Sequence, residues 1–244
     1  MARRISFMAL VVLIALTITL LLAESAAAAK TTSSKHSSKP TPKPSPKPHK
    51  SSPKPAKVTH TPPHKRSGAI SIAQLTTAFA GNCPPQTTGD AITCKDALPF
   101  INAAISKYGL KTKGQQAAYI ANMAYEGGYL KYDHNLVTHS QGTRSIMPAT
   151  SLRIFVDNNP SIQKLFPGYP NIDNNGIVDV LIQKKADFEP GAWWAVKGPG
   201  CAGAATGLSA SQASFTTWEQ SCINGGADTV SARAAIYQKV YASI

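Results

Sequence analysis

The chain has 244 residues, 43% of them hydrophobic, with 25 Lys and Arg against 12 Asp and Glu and a formal net charge of +13. That charge is unevenly placed: residues 30–67 hold nine Lys and one Arg with no acid, whereas residues 68–244 hold 13 basic and 11 acidic side chains and are nearly neutral. A nucleic-acid-binding fold concentrates basic charge on the folded domain itself, so nucleic acid is not an expected partner.

Residues 1–29 open with Arg3 and Arg4, continue with an apolar run from Phe7 to Leu22, and end in Ala26-Ala27-Ala28 before Lys30. A basic start, an apolar run and small residues at a cleavage point describe a secretory signal peptide. A run of 16 residues is long for such a leader and just short of a membrane span, so a retained signal-anchor is the alternative. Both imply export and an extracellular location.

Residues 30–67 are low-complexity Lys, Pro, Ser, Thr and His, with Lys-Pro at 39–40, 43–44, 47–48 and 54–55. Proline opposes helix and sheet, and little apolar surface is available to bury, so a disordered extended linker is expected. Its positive charge suits an anionic wall polymer, while a plain solvated spacer, O-glycosylated or not, remains the alternative. His36, His49, His60 and His64 are irregularly spaced and read as incidental solvated side chains.

Residues 68–244 have the length of one well-buried domain. The fold class expected is mainly α, with at most a small β-hairpin around 130–142. Apolar residues at Ile70, Ile72, Leu75 and Phe79 predict a short amphipathic helix over 70–80. Cys83 and Cys94 follow, and Cys201 and Cys222 lie near the end. An even count in an exported chain implies two disulfides. Local pairing is expected, Cys83 with Cys94 and Cys201 with Cys222, because each pair brackets a loop containing Gly or Pro. No Cys-x-x-Cys spacing occurs and the histidines nearby are His134 and His139, so no metal or other cofactor is expected.

A second helix is predicted from Asp96 to Tyr108, stopped by Gly109. The next, 114–126, carries Ala117, Ala118, Ile120, Ala121, Met123 and Ala124 and leaves almost no polar face, which places it at the centre of the domain. Further helices are predicted at Thr150–Val156, Asp179–Asp187, Ser209–Thr217 and Val230–Tyr241. Asn171 to Gly176 lacks the closing acid of a calcium loop and reads as a solvated turn.

Chemistry concentrates where the central helix ends. Beyond the leader the chain has only three glutamates, Glu126, Glu189 and Glu219. Glu126 emerges from an apolar helix into Gly127-Gly128. Partial desolvation there favours the protonated carboxyl, the form a general acid needs, and the glycines leave room for a bulky polymer.

Glu126-x-Gly128-Tyr129 is followed by Gly142-x-x-Ser145-Ile146-Met147-Pro148-Ala149-Thr150. This pair of segments resembles the lytic transglycosylase signature of the lysozyme-like superfamily. The stretch from Leu98 to Glu126, and Ile223-Asn224-Gly225-Gly226 with the helix containing Arg233, are similar to plant-type chitinases and related endolysins. The resemblance implies a lysozyme-like fold over 68–244, cleavage of a β-1,4-linked amino-sugar polymer, and Glu126 as the catalytic acid.

Several positions depart from those patterns. Ser145 stands where transglycosylases carry a sugar-binding glutamine, Tyr125 replaces the chitinase histidine, and no second glutamate follows where chitinases place a general base. Asp133 is the nearest candidate for a catalytic partner. Inverting hydrolases need a second carboxylate about 6.5–9.5 Å away and retaining ones need it at about 5–5.5 Å. Lytic transglycosylases, by resemblance, work with a single glutamate. Tyr129 and Trp193 are the expected sugar-stacking residues, and Gln141, Ser145 and Asn224 the expected hydrogen-bonding ones. The expected partner is peptidoglycan, with chitin or chitosan as the alternative substrate and a non-catalytic wall-binding protein as the alternative class. A monomer is expected.

Overall fold

A computed structural model of the chain describes residues 68–223 and 227–244, without the side chains of Ala227 and Asp228. The expected leader at 1–29, the expected linker at 30–67 and the candidate ligand Asn224 lie outside the described residues.

The first helix, α1 (Ile72–Ala78), begins at a capping box in which Ser71 and Gln74 satisfy each other's backbone N–H groups. Helix α2 (Cys94–Tyr108) starts on the Thr93 side chain and stops at Gly109, whose φ of 72° is the left-handed conformation expected of a glycine stop. Helix α3 (Lys113–Glu126) starts on a second capping box, Thr112 with Gln115, and is the central element the sequence predicts. Ten of its residues are buried, on every side of the helix.

Helices α4 (Ala149–Asp157), α6 (Ile177–Gln183), α9 (Gln212–Trp218) and α10 (Ala227–Ser243) correspond to the remaining predicted ones. Three more were not expected: α5 (Pro160–Gln163), α7 (Glu189–Lys197) and α8 (Cys201–Thr206). In α7 the pair Pro190-Gly191 reads as a chain break. Pro190 instead occupies the first turn, where its missing N–H has no helical partner to lose. A π-helical turn, Glu219–Ile223, continues α9.

Among the described residues there is no strand. The hairpin considered near 130–142 reduces to one bridge, His134 with Gly142, and Gly142 also pairs with Met147. The fold class is therefore mainly α.

Helix α3 is enclosed chiefly by α10 and α7, while α10 also packs on α1 and α9. The largest fully buried side chains are Trp218, Tyr119, Tyr237, Phe79, Phe155 and Phe215. Tyr119 on α3 donates its hydroxyl to Phe188 O at 2.9 Å, and Trp218 donates its indole N–H to Ala195 O at 2.9 Å. Each of these large apolar residues thereby satisfies its one polar atom. The disulfides are Cys83–Cys94 and Cys201–Cys222, the pairing expected, and they use all four cysteines. The second joins the start of α8 to the π-helical turn.

Candidate functional site

Glu126 is the last residue of α3, and the chain turns sharply behind it. A Cβ on Gly127 would stand 2.8 Å from Arg144 O and 3.2 Å from Tyr132 O, so only glycine lets the 142–147 segment pack against the end of α3. The backbone here is costly: Tyr129, Leu130, Thr143 and Ile146 all have positive φ without being glycine. Such residues cost about 1–3 kcal/mol each and gather where a site is held against its local preference.

The result is a cavity of about 500 Å³. Tyr119, Asn122 and Glu126 of α3 form one wall. Ser145 to Pro148 with Ser151 form a second, Gly191, Trp194 and Ala195 of α7 a third, and Trp218, Cys222, Ile223, Thr229 and Arg233 the remainder. Gly191 is required for this closure, because a Cβ there would collide with the Ser145 hydroxyl. Cleft size and the mix of aromatic walls with a few polar groups are those of a small-ligand or oligomer subsite.

Glu126 is the only carboxylate that lines this cavity among the described residues. Its Oε1 accepts a hydrogen bond from Arg233 of α10. Arg233 in turn donates through its other terminal nitrogen to Glu219, whose side chain is fully buried. The π-helical turn aims Glu219 inward at this arginine, and the Tyr125 ring covers the guanidinium at 4.6 Å. Burial raises the Glu126 carboxyl above the ordinary glutamate range, and the charge and hydrogen bond of Arg233 pull in the opposite direction without cancelling it. The cluster is not saturated. Glu219 Oε2, Arg233 Nε and Asn122 Oδ1 are buried without a hydrogen-bond partner among the described residues, so polar capacity remains beside Glu126 there.

The third glutamate is occupied elsewhere. Glu189, at the start of α7, is held by Lys107 and the Tyr108 hydroxyl on α2.

The other expected site residues divide. Ser145 lines the cavity and is 5% exposed. Trp193 does not line it: the side chain is 5% exposed and packs edge-on against Phe155, while its neighbour Trp194 forms the cavity wall. The helical turn of α7 separates the two faces by about 100°, so the wall position expected of Trp193 falls to Trp194. Tyr129 meets Phe79 edge-on at 5.3 Å and is not part of the wall. Gln141 closes the 134–142 loop by accepting from Asn135 at 3.2 Å.

Asp133 belongs to a second ionic cluster. It is 4% exposed and bonds Arg144 at 3.1 Å and His134 at 2.8 Å. Arg144 also donates to Asp187 at 2.7 Å and to the Asp90 carbonyl. The arrangement makes Asp133 a counter-ion to Arg144, and Asp133 is not among the residues that line the cavity. Comparisons of the chain with known protein families, with curated proteins and with solved structures find no match.

Glu219 and Arg233, with the lining residues Asn122 and Trp194, are not among the site residues expected from the sequence. In chemical terms the arrangement can hold one proton on a partly buried carboxyl, orient that carboxyl through an arginine, and present aromatic and amide surface to a ligand.

Proposed function

We propose that the chain is a secreted, lysozyme-like enzyme that cleaves a β-1,4-linked amino-sugar polymer, peptidoglycan first among them, with Glu126 as general acid. One observation carries the reading: a carboxyl with a raised pKa lines a polar and aromatic cavity and is anchored by an arginine through one oxygen only. Glu126 Oε2 accepts no hydrogen bond from the described residues and is the oxygen from which a proton reaches a glycosidic oxygen. The C1–O bond then breaks as the leaving sugar takes that proton, and the Glu126 carboxylate faces the developing positive charge on the ring. The Trp194 ring and the Asn122 amide supply the surfaces that pyranose faces and N-acetyl groups need.

Among the described residues a single carboxylate lines the cavity, which suits a lytic transglycosylase better than a two-carboxylate hydrolase. In that reaction a hydroxyl of the sugar itself attacks C1 and returns its proton to Glu126. Peptidoglycan is preferred over chitin because the basic segment at 30–67 is attracted to an anionic wall. The two disulfides accord with an exported chain.

Incubating the purified protein with peptidoglycan and, separately, with chitin oligomers tests this, the products being read by mass spectrometry. Anhydro-muramic ends are expected. Reducing ends would transfer the reading to a hydrolase, and chitin fragments alone to a chitinase. No fragments from either polymer would mean a wall-binding protein without catalysis.

A further inference from the structure

A cluster outside the cavity is built from residues that the proposed chemistry does not use. His134 and His139 frame the 134–142 loop, and Asp179 lies in the first turn of α6. Asp179 Oδ1 is 3.3 Å from His134 Nε2 and 3.4 Å from His139 Nε2. The three donor atoms all lie within 4.8 Å of one another. Two ligands bound at about 2.0–2.1 Å to a tetrahedral ion sit about 3.3 Å apart, so two edges of such a site already have the required length.

We propose that His134 Nε2, His139 Nε2 and Asp179 Oδ1 form a site for one zinc-class divalent ion, which fastens the 134–142 loop to α6. The far side of His134 is prepared for this. Its Nδ1 is 2.8 Å from the Oδ1 of buried Asp133, which fixes the proton on Nδ1 and leaves the Nε2 lone pair toward Asp179. A carboxylate behind a ligating imidazole is the outer-shell arrangement that orients metal-bound histidines. Asp133 is itself held by Arg144, whose neighbour Ser145 lines the cavity, so the ion would brace one wall of the site through a continuous chain of contacts.

The two imidazoles stack at 5.0 Å with nearly parallel planes and share one carboxylate oxygen. Parallel rings cannot both contain the ion in their planes, and His139 must turn to bring its lone pair round. Its side chain is 73% exposed and free to do so. The loop behind it is ordered for the purpose, since Asn135 Oδ1 accepts from the backbone N–H of Val137 and Thr138 at 2.9 Å each. Water completes the coordination. All four cysteines are in disulfides and do not compete.

The chain has six histidines, four of them at 36, 49, 60 and 64, so the test uses the full chain with those four replaced by alanine. Zinc chloride is titrated calorimetrically near neutral pH. One ion per chain is expected, with a rise in melting temperature. His139→Ala and Asp179→Asn should each weaken binding by about tenfold or more and abolish the thermal shift. Both side chains are largely exposed, so circular dichroism of the variants should match the parent. Absence of saturable binding, or equal binding in both variants, would overturn the proposal.

Discussion

Arginine bridges two carboxylates twice in this fold. Arg144 joins Asp133 to Asp187, and Arg233 joins Glu126 to Glu219. In the first cluster all three side chains are under a tenth exposed, and each arginine nitrogen has a partner, including the Asp90 carbonyl. In the second, Glu219 is fully buried but the Glu126 side chain is 22% exposed and opens on the cavity, while Arg233 Nε and Glu219 Oε2 lack partners among the described residues. The same ionic motif is closed in one place and open on a cavity in the other, and the open one is where we propose that the chemistry occurs. Composition alone does not distinguish them; the degree of satisfaction does.

The sharpest way to break the contrast is to remove each arginine. Arg144→Met leaves two buried carboxylates without a cation and should cost about 3–5 kcal/mol, measured by urea unfolding. A cost below about 1 kcal/mol would mean that this cluster is not structural. The adjacent tryptophans repeat the contrast within one helix. Trp193→Ala empties a core position and should destabilise by about 3–5 kcal/mol. Trp194→Ala should raise KM for wall fragments at a smaller cost in stability. Removing Cys201–Cys222 by paired serine substitution should cost about 3 kcal/mol from loop entropy and weaken ligand binding too, because Cys222 is part of the cavity wall.

A subtler effect concerns protons. A general acid works while protonated, so activity falls as pH rises through the Glu126 pKa. Arg233 lowers that pKa, so in Arg233→Gln the alkaline limb of the pH–rate profile should move to higher pH; a move to lower pH would contradict the assigned roles. Stability carries the same signature. The folded pKa of Glu126 is raised, so the folded state keeps a proton that the unfolded chain has lost. Its contribution is therefore fully present below the ordinary value of 4.5 and declines as pH rises through the folded pKa. Glu126→Gln should flatten the curve over that window, as followed by thermal melts across pH.

Much of the helical scaffold was legible from the chain. The Gly109 stop and the apolar run of α3 each act locally, and local signals survive in sequence; the caps Ser71, Thr93 and Thr112 are equally local but were not singled out. Helix α7 was hidden because Pro190-Gly191 breaks a helix in its interior but not in its first turn. Glu126 was legible from its setting, yet its partners were read past, although both left a trace. Val230, Arg233, Ala234 and Tyr237 follow helical core spacing, as do Phe215, Trp218, Glu219 and Cys222, and all eight are buried. A charge at a core position requires an opposite charge facing it, so Arg233 and Glu219 predict each other once both helices are placed. Asp133 misled because nearness along the chain to Glu126 is not nearness in the cavity, and nothing local announces Arg144 as its counter-ion.

The most direct measurement compares Glu126→Gln with Asp133→Asn for release of soluble fragments from peptidoglycan, each variant first shown to be folded by circular dichroism. Loss of at least about 100-fold in rate for Glu126→Gln, with Asp133→Asn changing melting temperature but keeping most of the turnover of its folded fraction, is the result expected. Retained cleavage by Glu126→Gln, or equal loss in a folded Asp133→Asn, would contradict the assignment of chemistry to the open cluster and structure to the closed one.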